Sequence, residues 1–183
     1  IFEYRYRIMM NTILEHDRRF GVLSIDPATG KIAEYGCCAE ILHFQRLPDD
    51  RMKMLSFGQQ RFKVLEYVRE KPYRVGLVEW VEDKPTTEDL SPMATEVEEL
   101  LRDVVHLSAK LTSQKIELPD DLPSSPTELS YWVASNLYGV ASEQQALLEM
   151  QDTLERLQRE HEILSSTRSH LAARTALKDA LED

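Results

Sequence analysis

The side chains of this chain that could do chemistry by type are two adjacent cysteines, Cys37 and Cys38, five histidines, and the aspartate pairs Asp49/Asp50 and Asp120/Asp121. Dithiol redox chemistry and zinc binding use a C-x-x-C spacing, whereas neighbouring cysteines in a strand point to opposite faces. Cys37 and Cys38 are therefore read as small, partly buried hydrophobes, and free thiols of this kind suit a reducing compartment. His16, His43, His106, His161 and His170 are scattered, and His161-Glu162 lacks the second histidine that a zinc-protease helix requires. There is no G-x-S-x-G elbow to expose a serine and no G-x-x-x-x-G-K-[ST] loop to hold a nucleotide. The aspartate pairs sit beside prolines, where a solvated turn is the ordinary outcome. No catalytic residue, cofactor site or metal site is expected, and the chain is read as not an enzyme.

A more suggestive feature is aromatic. Ser125-Pro126-Thr127-Glu128 has the form of a capping box with proline at the first helical position, and it opens a helix closed by Gly139. Leu129, Trp132, Val133 and Leu137 form its core-facing stripe, which leaves Tyr131, Ser135 and Tyr138 together on a neighbouring face. Tyrosine rings bury much area at low entropic cost and are favoured where proteins meet, so Tyr131, Ser135 and Tyr138 are the candidate protein-binding residues, the alternative being that the two tyrosines pack over the β half.

The elements that carry these residues fall into two halves, 1–91 and 92–183. In the first, a helix is expected over Arg5 to Glu15, followed by strands near Phe20–Ile25, Gly36–Arg46, Met52–Phe57, Phe62–Tyr67 and Tyr73–Val81. Phe62 and Trp80 are expected inside the β core. Asp26-Pro27-Ala28-Thr29-Gly30 and Leu47-Pro48-Asp49-Asp50-Arg51 read as turns, the second requiring Asp50 in a left-handed conformation or a different turn type. After Leu90 the apolar period becomes helical. Ser91 and Pro92 open a helix striped by Val97, Leu100, Leu101, Val104, Leu107 and Leu111. Ser142-Glu143-Gln144-Gln145 reads as a further capping box, and from there to Asp183 no glycine or proline interrupts. One long helix, or two parted near Ser165-Ser166-Thr167, follows. Its stripe of Leu147, Met150, Leu154, Leu157, His161 and Leu164 is read chiefly as packing on the preceding helices, with self-association through the C-terminal helix as the alternative.

Charge narrows the partners. The net charge is −10, carried almost wholly by residues 92–183, so phosphate backbones are repelled and nucleic acid is not the expected ligand. No run approaches the roughly 18 apolar residues of a membrane span.

Several pieces in order carry a resemblance. Ile1-Phe2-Glu3-Tyr4-Arg5-Tyr6-Arg7-Ile8-Met9, Asp17-Arg18-Arg19-Phe20-Gly21-Val22, Gly36-Cys37-Cys38-Ala39-Glu40-Ile41, Arg46-Leu47-Pro48-Asp49-Asp50-Arg51, Gly58-Gln59-Gln60-Arg61-Phe62 and Pro72-Tyr73-Arg74-Val75-Gly76-Leu77-Val78-Glu79-Trp80 resemble the N-terminal, substrate-recognising domain of the Lon protease family. The wording around Gly36–Ile41 and Ser130–Glu143 is similar to the stand-alone Lon-domain proteins of cyanobacteria and plant plastids. The resemblance implies an α+β fold: a PUA-like β barrel or closed sheet of six strands, its first strand upstream of residue 1, then a helical bundle with a long C-terminal helix. It implies a non-catalytic domain that binds unfolded or tagged polypeptides, or delivers clients to a protease or chaperone, in a cytoplasmic or stromal setting. The alternative is a scaffold or assembly adaptor for one folded partner.

Overall fold

The computed structural model describes residues 1–112, 114–137 and 141–182. The chain divides into two compact units, Ile1–Glu82 and Asp83–Asp183. The hydrophobic period changes at Leu90, but the packing boundary lies eight residues earlier, because segment 83–90 goes with the helices.

In the first unit, helix α1 (Tyr4–Leu14) is followed by strands β1 (Arg19–Ile25), β2 (Ile32–Arg46), β3 (Met52–Arg69) and β4 (Val75–Val81). The strands form an antiparallel sheet in the order β1-β2-β3-β4. Of the six strands expected, one was placed upstream of residue 1, and the five read within the chain become four among the described residues, because the two short strands read at 52–57 and 62–67 are one strand of 18 residues. Gly58 does not break it. The ladder instead absorbs a register shift between the Cys37–Arg61 and Ala39–Gly58 pairs, a bulge that bends the strand and curls the sheet.

The turns behave as their residues require. Asp26 accepts from the Ala28 backbone N–H at 2.9 Å and from the Thr29 hydroxyl at 2.6 Å, and Gly30 takes a φ of 70°. These two hydrogen bonds hold the Asp26 carboxyl below its ordinary pKa. Asp50, in the second turn, has a φ of 62°, the left-handed conformation that aspartate tolerates better than most residues.

Helix α1 lays Met9, Met10, Ile13 and Leu14 on one face of the sheet, against Phe20, Ile41, Phe44, Met52 and Met54. Phe62 is buried at 4% exposure. Its ring lies over two backbones: a Cβ built on Gly36 or on Gly21 would meet the Phe62 ring at 2.8 Å. Glycine at both positions leaves room for the tip of the Phe62 ring beside β2 and β1. Trp80, paired directly opposite Phe62, was expected beside it in the core but is 50% exposed. The ring of Phe62 leans toward β1 and β2, and Trp80 stands on β4, which is an edge strand of the sheet among the described residues.

The second unit contains α2 (Ser91–Thr112), α3 (Pro126–Ser135), α4 (Ala141–Glu149) and α5 (Thr153–Glu182). Its core gathers Leu90, Val97, Leu100, Leu101, Leu129, Val133, Leu137, Leu147, Leu157 and Leu164. The apolar stripes predicted for these helices therefore face one another within the unit. The caps differ from the expectation. Ser125 occupies the N-cap of α3 but its hydroxyl makes no capping bond, Asp89 rather than Ser91 offers the acceptor ahead of α2, and Ser142 lies inside α4. The last two helices part at 150–152, well before Ser165. There Asp152 receives the Leu154 and Glu155 backbone N–H groups at 2.9 and 3.1 Å, an N-cap that ends one helix register and begins another. Gly139 lies outside the described residues.

Candidate protein-recognition site

Two places could meet a partner, and they are built on opposite principles. The first is the candidate read from the α3 sequence. Tyr131 is half-buried; its hydroxyl donates to Asp83 Oδ1 at 2.9 Å and its ring centroid lies 4.0 Å from the Arg156 guanidinium carbon. Ser135 turns its hydroxyl back onto the Trp132 carbonyl at 2.8 Å, and Tyr138 lies outside the described residues.

Tyr131 belongs to a polar cluster inside the helical unit. Arg156, fully buried, uses all five N–H groups: Nε to Ser130 Oγ at 2.9 Å, Nη1 to Asp83 Oδ1 and the Met150 carbonyl at 3.1 Å each, Nη2 to Asp83 Oδ2 at 2.5 Å and Thr153 Oγ1 at 3.4 Å. Thr153 in turn donates to Asp83 Oδ2 at 3.0 Å. A bidentate guanidinium–carboxylate pair with its remaining donors satisfied is the arrangement that makes burial of two charges tolerable. Arg156 was not singled out in the sequence as a core residue, yet it is fully buried. The available signal was its place, three residues after Thr153 and next to Leu157, on the stripe that turned out to be buried.

The second place is apolar and lies on the β2–β3 hairpin. Strand β3 reads Met52-Lys53-Met54-Leu55-Ser56-Phe57, and side chains alternate between faces. Met52 and Met54 point to α1, so Leu55 and Phe57 point away from it; each is 62% exposed. The register sets Leu55 opposite His43 and Phe57 opposite Glu40. A second bulge, between the Ile41–Ser56 and His43–Leu55 pairs, places Leu42 level with them at 55% exposure. Lys53 and the Arg19–Glu40 ion pair, at 3.3 Å, make a polar rim. Three large apolar side chains within one rung or two of each other exceed the scattered exposure normal for a surface, and such clusters mark places where proteins meet. Sequence reading missed this cluster too, although apolar residues on both parities of one strand are its signature.

Cys37 and Cys38 are free thiols, and burial pushes the pKa of each above the ordinary cysteine value, so neither is an activated nucleophile. Among the described residues no group of three His, Cys, Asp or Glu side chains could hold a metal ion, and no helix is long and apolar enough to cross a membrane.

Comparison with known proteins agrees with this geometry. The chain is 28% identical over 159 residues to Lon protease 2 of Myxococcus xanthus, covering 86% of this chain and 19% of that protein. It is 30% identical over 148 residues to the Lon protease of Anaeromyxobacter dehalogenans strain 2CP-C, covering 76% and 17%. The chain thus spans less than a fifth of these curated relatives. Among solved structures, a Lon N-terminal domain protein from Xanthomonas campestris has the same fold, with a TM-score of 0.60 at 24% identity over 87% of this chain and 83% of that one. The N-terminal domain of a Mycobacterium avium complex Lon protease gives 0.61 at 18% identity over 92% and 87%. The family model of the ATP-dependent protease La (LON) substrate-binding domain matches residues 1–166, and the chain belongs to that family.

Proposed function

We propose that the chain is a non-catalytic recognition domain that holds unfolded polypeptide segments against the outer face of the β2–β3 hairpin. The observation that carries this reading is the cluster of Leu42, Leu55 and Phe57, exposed on the face away from α1 in a substrate-binding domain. An unfolded segment offers apolar side chains that can cover this surface and lose water on contact, and burying a leucine or phenylalanine stabilises by about 1.5–3 kcal/mol each. A few such contacts give the weak, broad affinity that suits many clients. Holding a client for a separate protease or chaperone needs no nucleophile or nucleotide loop. A net charge of −10 argues against nucleic acid as the ligand.

The test is binding of a fluorescently labelled, permanently unfolded protein to the full chain and to the double variant Leu55→Ser plus Phe57→Ser. Loss of binding by the folded variant supports the reading, and unchanged binding removes it. Capture of a single folded partner at fixed stoichiometry, with no affinity for unfolded chains, would establish the adaptor reading instead.

A further inference from the structure

Glu160 is fully buried in α5, and both of its carboxyl oxygens are without a hydrogen-bond partner among the described residues. It lies one helical turn after Arg156, the spacing at which a glutamate and an arginine ordinarily pair. Here they do not, for a countable reason. A guanidinium has five N–H donors, and those of Arg156 all go to Ser130, Asp83, Met150 and Thr153.

Among the described residues the neighbouring elements give Glu160 no hydrogen-bond partner. Asp83 is held by Arg156, Glu96 of α2 faces His161 at 3.6 Å, Asp103 of α2 takes Arg168 at 3.2 Å, and Glu143 of α4 takes Arg159 at 2.7 Å. From α3 the shared core receives Leu129, Ser130 and Val133, none of which titrates near neutrality, while the Tyr131 hydroxyl is given to Asp83. A carboxylate in this place would be a bare buried charge, so the group keeps its proton. Burial pushes the Glu160 carboxyl up to about 9, with the Arg156 charge pulling the other way.

We propose that Glu160 is a proton-held latch of the helical unit: protonated, it packs as a neutral side chain, and on losing its proton it loosens α5 from the helices around it. Ionised Glu160 either draws Arg156 off Asp83 or opens the α5 face to water. Both responses undo the cluster that pins Asp83, Ser130 and Thr153.

The sign is fixed by linkage. The group binds its proton more tightly folded than unfolded, so its contribution is complete below the unfolded value near 4.5 and is lost as pH rises toward about 9. One proton sets the slope, about tenfold in the opening equilibrium per pH unit across that window.

The experiment uses the full chain. Amide hydrogen exchange over 153–164 is compared for wild type and Glu160→Gln between about pH 6 and 8.5, where the shared intrinsic exchange rate cancels. Wild type should open more at each step of about tenfold per unit relative to the variant, which keeps its protection. Parallel pH profiles would overturn the proposal. Should Glu160→Gln not fold, a carbon-13 titration of the wild-type Glu160 carboxyl decides: a midpoint in the alkaline range supports the latch, and one in the ordinary carboxylate range sinks it.

Discussion

The two units of this chain reverse the usual division between inside and outside in opposite senses. The β unit leaves Leu42, Leu55 and Phe57 in water on its outer face, while the helical unit takes Arg156, Glu160, Ser130 and Thr153 out of it. Each departure is made possible by local geometry. A two-sided strand has a second face that α1 cannot reach, so apolar residues placed there stay exposed without disturbing the core on the first. A helical core has no free face, and a charge inside it is tolerated only when every donor finds an acceptor, as the Arg156 guanidinium does. The comparison separates a surface built to be covered by something else from an interior built to be complete, or complete but for one proton.

The strongest way to break the comparison is to remove the carboxylate that completes the interior. Asp83→Ala leaves the Arg156 guanidinium buried without its counter-charge and is expected to destabilise the helical unit by about 3–5 kcal/mol. Urea unfolding followed by helical circular dichroism measures this, and a shift below about 1 kcal/mol would place Arg156 in water rather than in the core.

Of similar size is the test of the β core. Phe62→Ala removes the ring that spans Gly21 and Gly36 and should cost about 3–5 kcal/mol, whereas Trp80→Ala at the exposed edge should cost far less. Equal losses at the two positions would mean that Trp80 is covered in solution.

Tyr131→Phe is gentler. It deletes one of the donors to Asp83 but keeps the ring under Arg156, so about 0.5–1.5 kcal/mol is expected, with thermal melting as the readout. If the same change instead weakens client binding while melting stays constant, the α3 face belongs to the recognition surface.

Smallest in stability and largest in function is the outer hairpin face. Leu55→Ser plus Phe57→Ser should move stability by no more than about 0.5 kcal/mol per site, because neither side chain is packed, and should abolish most binding of unfolded protein. A large loss of stability would show that these residues are internal after all.

Much of this was legible in the chain itself. The helical stripes of 97–111 and 129–137, the start of α1, and the two turns at Pro27 and Pro48 follow from periodicity and from residues with narrow backbone preferences, which act over a few neighbours. The long β3 was not legible as one strand, because whether Gly58 breaks a strand or sits beside a bulge depends on what β2 offers opposite it. The helix break at 150–152 could have been read, since Asp152-Thr153-Leu154-Glu155 is itself a capping sequence.

Charge, apolar period and turn chemistry are properties of neighbours in the chain, and they determined the β half, the helical half and the absence of familiar catalytic spacings. Which charges are buried and which apolar residues are exposed are properties of neighbours in space. Arg156 became an interior residue only because Asp83, 73 positions away, came within 2.5 Å of it. Phe57 became a surface residue only because α1 covered the opposite face of its strand. A sequence names the side chains available for burial; the tertiary structure decides which of them find partners, since desolvation is settled by contacts that the chain closes over long distances.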